Sequence, residues 1–123
     1  MDKKLEDNMP IYVQIMNRVR EAIAAGELRP GDRVPSVREM AQQFEVNPNT
    51  MQRALLELEQ ERLLINHGTA GRCVTEDQAI LDLLHKQAVE QAVQSCACQF
   101  HALGLNMRQA AQLLLEAEEG SGN

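Results

Sequence analysis

Apolar residues recur along this chain at helical spacing in several stretches and at strand spacing in one. Ile11, Ile15, Val19 and Ile23 are four apart, and Tyr12, Met16 and Ala22 widen the stripe, so the residues after Pro10 form an amphipathic helix with one buried face. Asn8 is placed to cap its start and Gly26 to end it. Val37, Met40, Ala41 and Phe44 then fall at i, i+3, i+4 and i+7, and Met51, Ala54, Leu55 and Leu58 repeat the interval. Ser36 lies three residues before Glu39, the spacing at which each side chain satisfies the other's backbone N–H, so the first of these helices begins at Val37. It ends near Phe44. Asn47 offers a side-chain cap for the next helix, and Pro48 takes the first helical position, where its missing N–H costs nothing. Two capped helices joined by a tight turn make a helix-turn-helix.

The pattern changes after residue 62. Leu63 to Asn66 and Arg72 to Thr75 read as short strands, and the intervening His67-Gly68-Thr69-Ala70-Gly71 supplies the glycines that a hairpin needs for positive φ and close backbone approach. Upstream, Leu28 to Asp32 is a turn, and Arg33-Val34 is a short extended piece able to pair with that hairpin. The predicted fold class is mainly α with a small β-hairpin: an N-terminal winged helix-turn-helix over residues 9–75. Used otherwise, the hairpin would simply cover the core.

Beyond the hairpin, Thr75 to Gln78 resembles a second capping box. Ile80, Leu83, Leu84, Gln87, Ala88, Gln91 and Ala92 trace one face of a long helix running to about Leu103, before Gly104. Asn106 to Gln109 caps a last helix bearing Ala110, Leu113, Leu114 and Ala117. Two helices alone bury too little surface to be stable, so residues 76–118 are read as a short dimerisation region. Ile80, Leu83, Leu84, Ala88, Leu113 and Leu114 are its contact residues, and residues 1–8 and 119–123 are flexible termini.

The second helix of the helix-turn-helix carries the chemistry. Its buried stripe turns Asn49, Thr50, Gln52 and Arg53 outward; Asn and Gln pair with adenine bidentately, and Arg pairs with guanine or phosphate. Arg72 stands at the base of the hairpin. Helix-turn-helix units also serve as protein-interaction modules, so that use stays open beside DNA binding. The runs PIYVQI, GELRPGDRVPSVREMA and VNPNTMQRALLELE resemble the DNA-binding domain of the GntR family of bacterial transcription regulators across residues 9 to 75. The resemblance implies DNA contacts from the arginine of the first helix of the motif, the start of the recognition helix and the wing glycine: here Arg38, Asn47, Asn49, Thr50, Gln52 and His67-Gly68. Pro48 and Gln52 stand where some relatives carry arginine. The VNPNT form with a short C-terminal region is similar to the YtrA-type subfamily, which implies a compact repressor of a neighbouring transporter operon; because one small winged helix reads few base pairs and the C-terminal helices need a partner, a homodimer on a pseudo-palindromic operator is expected.

Charge refines this picture. The chain holds 12 basic and 18 acidic side chains, yet residues 9–75 contain eight arginines against eight acidic groups, so all of the excess acid lies outside them. Arg33, Arg38, Arg53 and Arg72 can form a local basic patch, while Glu57, Glu59 and Glu61 sit at the far end of the recognition helix. No phosphate-cradling loop, nucleophile turn or paired carboxylates mark an enzyme, and no cofactor is implied. Three cysteines without an export signal point to reduced thiols, and the absence of a long apolar stretch points to a cytoplasmic protein with no membrane partner. Cys98 and His101 share a helix face and could bind a zinc or copper ion, whereas Cys96 points about 200° away from Cys98. The favoured reading has the cysteines packing in a helix dimer with no metal bound; a metal- or thiol-responsive regulator is the alternative. A small-molecule effector is compatible with the C-terminal region but no residue pattern marks one.

Overall fold

The computed structural model describes residues 9–120. Helix α1 spans Ile11–Ala24, α2 Val37–Phe44 and α3 Pro48–Gln60; strands β1, Leu64–Asn66, and β2, Arg72–Val74, follow; then come α4, Gln78–Ala102, and α5, Met107–Gly120. The elements separate into two compact units with the division between His85 and Lys86, so the first two turns of α4 belong with the winged helix.

Local signals account for most of these limits. The Ser36 hydroxyl accepts the Glu39 N–H at 3.2 Å and Glu39 Oε1 accepts the Ser36 N–H at 3.0 Å, closing the capping box. The Asn47 side chain accepts the Asn49 N–H at 2.7 Å, with Pro48 opening α3. Between these helices the chain reverses through Glu45, a non-glycine residue in the left-handed region at φ 55°, and the Val46 N–H returns to the Ala41 carbonyl at 3.0 Å. Asn8, read as the cap of α1, lies outside the described residues; Pro10 holds the N-cap position, and its carbonyl accepts from Val13 and Gln14.

Other limits differ from the sequence reading. The capping box at Thr75 is not made: Thr75 Oγ1 accepts the Asp77 N–H and Asp77 Oδ1 accepts the Ala79 N–H, so Asp77 rather than Thr75 caps α4. Helix α5 continues through the stretch expected to fray, reaching Gly120, because Glu116 to Glu119 contains only helix-compatible residues and Gln112 is bonded to Glu116 one turn on. Residues 121–123 lie outside the described residues. The reciprocal cap on α5 is present, Asn106 with Gln109 at 2.9 and 2.8 Å.

The hairpin is antiparallel, with Leu64 opposite Val74, Ile65 opposite Cys73 and Asn66 opposite Arg72. Arg33 bridges to Cys73 from the other side, while Val34 N–H donates to the Arg72 carbonyl and Val74 N–H to the Asp32 carbonyl, so the link between α1 and α2 runs as a third, minimal strand. Met51, Ala54, Leu55 and Leu58 of α3 are wholly buried among Ile15, Val19, Met40 and Leu64. Leu84 joins this same core and Ile80 packs against it. Periodicity groups both with the self-association face, whereas Leu84 lies in the core of its own chain and Ile80 is partly buried against it. Periodicity reports that a face is apolar but not what covers it.

In the second unit, residues 86–102 of α4 and all of α5 form a helical hairpin that turns through Gly104 at φ 85°, with the Leu105 N–H bonded to the Phe100 carbonyl. Ala110 is its one buried apolar residue among those described, whereas Val93, Leu113, Leu114 and Leu115 are exposed.

Candidate nucleic-acid interface

The candidate contact residues of the N-terminal unit lie on α2, at the start of α3 and at the tip of the hairpin. Packing of Met51, Ala54, Leu55 and Leu58 into the core forces Asn49 and Gln52 to solvent, with Thr50 half-exposed at the helix shoulder. Arg38 is exposed on α2, off the face that buries Met40 and Ala41, and it makes no hydrogen bond or ion pair among the described residues. An arginine held by the backbone alone, beside a helix start rich in amide side chains, can give its full fork of donors to a phosphate or a guanine edge. Asn47 serves first as the α3 cap: its Oδ1 is committed to Asn49, which leaves its side-chain NH2 for any external partner.

The hairpin tip is built around Gly68 and Gly71. Asn66 Oδ1 accepts the Gly68 N–H at 2.8 Å, a single 3-10 turn covers Gly68–Ala70, and the His67 N–H closes onto the Gly71 carbonyl at 2.8 Å. Gly68, at φ 69°, has open space where a Cβ would stand, so the backbone is bare and exposed at the tip beside the His67 side chain. Gly71 differs. It has φ 87° and ψ −163°, and a Cβ there would meet Arg33 Nε at 3.2 Å. Gly71, not singled out as a site by sequence, therefore sets the shape of the loop that presents His67 and Gly68.

The basic patch read from sequence is smaller in the fold. Arg72 is paired with Glu59, with both side chains largely buried, which ties β2 to the last turn of α3. Glu59 was read as distant acid and is its partner. Arg20 pairs with Glu61 in the same way, at a more exposed site. Arg53 lies over the ring of Tyr12, 3.8 Å from its centroid, with no hydrogen bond or ion pair among the described residues. Arg33 stands beneath Gly71 and within the electrostatic reach of Glu39. The partners at fault are 13 and 41 residues away in sequence, beyond any local pattern.

The Ser36 N–H bond to Glu39, reinforced by the Ser36 side chain and the charge of Arg33, holds the Glu39 carboxyl below the ordinary glutamate range. A lowered folded value means that this contribution to folding is present above the ordinary range and is lost as pH falls through the lowered one. Titration of Glu39 by carboxyl NMR should give a midpoint below that of a free glutamate, and Ser36→Ala should move it upward. An unmoved midpoint would show that the Ser36 hydroxyl adds nothing to the lowering by its backbone N–H.

The cysteine segment divides between two sides of the C-terminal hairpin. Cys96 lines an apolar groove of about 330 Å³ with Phe100, Met107 and Leu114, whereas Cys98 and His101 border a separate groove with Met107. Among the described residues, no three of the His, Cys, Asp and Glu side chains are grouped to hold a metal ion. No helix there is long and apolar enough to cross a membrane.

Comparison with known proteins agrees with this geometry. The HTH-type transcriptional regulator YhcF of Bacillus subtilis is 33% identical over 120 residues, covering 98% of this chain and 99% of that one. The HTH-type transcriptional repressor YtrA of the same organism is 40% identical over 68 residues, 55% of this chain and 52% of YtrA. Among solved structures, a GntR family transcriptional regulator from Listeria monocytogenes superposes with a TM-score of 0.76 at 32% identity, covering 89% of this chain and 96% of that one. Residues 11–74, the span from α1 to the end of the hairpin, match the gntR family of bacterial regulatory proteins, and the chain is a member of that family of DNA-binding transcription regulators.

Proposed function

We propose that this protein is a homodimeric repressor of the YtrA type, which binds a pseudo-palindromic operator close to a transporter operon. The observation that carries the DNA-reading part is the set Arg38 on α2 with Asn49, Thr50 and Gln52 at the start of α3: side chains turned away from a buried helix face, none of which is bonded to another described residue. Asn49, Thr50 and Gln52 choose the sequence in the major groove, and the bare backbone at Gly68, with His67, approaches the minor groove. Arg72 acts through the hairpin position rather than by touching DNA.

Self-association is supported by the second unit, where Leu113, Leu114 and Leu115 of α5 and Val93 of α4 leave apolar area in water that a second copy would cover. Leu83 is likewise exposed, at 55%, while Ala88 is half-buried. One winged helix reads few base pairs, so two copies supply both affinity and symmetry. The similarity to YtrA, a repressor, supports the sign of regulation. The half-sites should be centred about one helical turn, roughly 10 bp, or a multiple of it apart. Sedimentation at micromolar concentration should show a dimer, and that dimer should bind an inverted-repeat promoter fragment in a salt-dependent way. A monomer that binds a single asymmetric half-site equally well would overturn the proposal.

A further inference from the structure

Tyr12 is the single tyrosine of the chain, on α1, and its ring is packed against the hydrophobic core. Arg53 reaches back from α3 to lie over that ring, 3.8 Å from its centroid. Stacking occupies a face of the guanidinium and leaves its planar rim of N–H donors open, and no hydrogen bond or ion pair to a described residue uses them. Arg53 is four residues after Asn49 and three after Thr50, so it lies on their side of α3, one turn further along. Its attachment to Tyr12 draws it toward α1, to the flank of the amide side chains that read bases. A free arginine side chain would lose rotamer entropy on gripping a phosphate; one already seated on a fixed ring has less to lose.

We propose that Tyr12 is a positioning residue for DNA recognition, holding Arg53 ready to clamp a backbone phosphate beside the recognition helix. The proposal rests on the DNA-facing assignment of α3 and adds a role for α1, which otherwise belongs to the core. A phosphate clamp carries no sequence information, so its loss weakens operator and scrambled DNA alike and makes binding less salt-sensitive.

The test is a double-mutant cycle on the full chain, read by fluorescence anisotropy with operator and scrambled duplexes over a salt series. Tyr12→Leu should lower affinity by about two- to fivefold on both duplexes, Tyr12→Phe should retain it, and Arg53→Ala should lower both the affinity and the salt slope. In the Arg53→Ala background, Tyr12→Leu should then cost nothing more. The same additional loss in that background, or a Tyr12→Phe protein as weak as Tyr12→Leu, would overturn the positioning role. A loss confined to the operator would overturn the phosphate assignment. Wild-type protein unable to bind the operator would instead defeat the reading of the whole surface, and Tyr12 with it. Thermal unfolding of each variant separates these outcomes from a damaged core.

Discussion

Alanine at Arg38 is expected to weaken operator binding by about 1–3 kcal/mol, roughly five- to 150-fold, with no loss of thermal stability. The expectation rests on two properties of Arg38. Arg38 is exposed on α2, off the face that packs into the core, and among the described residues it has no partner that its truncation would leave unpaired. Any effect on DNA binding then reports its contact with DNA directly. Anisotropy on a set of single-base operator variants distinguishes the two forms the contact can take. A bidentate contact to guanine relaxes specificity at one base pair, whereas a phosphate contact weakens all sequences equally and reduces the salt slope by about one. A folded Arg38→Ala protein with full operator affinity would remove Arg38 from the interface.

Gly71→Ala should cost about 1–3 kcal/mol of wing stability and reduce DNA affinity with it. Its φ of 87° with ψ −163° is a region open essentially to glycine alone, and the new Cβ would lie 3.2 Å from Arg33 Nε. Strain and crowding therefore act together, and the loop that carries His67 and Gly68 must rearrange. Gly68→Ala is the control. Gly68 has φ 69° but no atom within 4 Å of a Cβ position, so the same substitution there should cost only about 1 kcal/mol. Amide exchange in β1 and β2 would reveal the local loosening even where global unfolding is little changed. Equal exchange in the two variants would show that Gly71 is not the constraint on the wing.

These two residues mark what could and could not be read from sequence. Arg38 stands off an apolar stripe of i, i+3, i+4 and i+7 residues, so its outward direction followed from periodicity alone. Gly71 and Gly68 look alike in sequence, and only the path of Arg33 beneath the loop separates them. The four arginines of the expected basic patch show the same division. All four lie in the first unit, but Arg72 is neutralised by Glu59, Arg53 is seated on Tyr12 and Arg33 underlies the wing. Charge counting treats them as equal because it has no information about which acids and rings the fold brings near.

The sequence by itself determined the helices, three of their caps and the order helix, helix, helix, hairpin, because those depend on interactions spanning a few residues: Ser36 with Glu39, Asn47 with Asn49, Asn106 with Gln109. It also determined which faces are apolar. Only the tertiary structure decided which apolar face is covered within the chain, sending Ile80 and Leu84 to the winged-helix core while leaving Leu113 and Leu114 exposed. It likewise decided what each arginine meets, since an ion pair or a cation–π contact depends on distance in space, and Arg53 and Tyr12, which touch, lie on different helices.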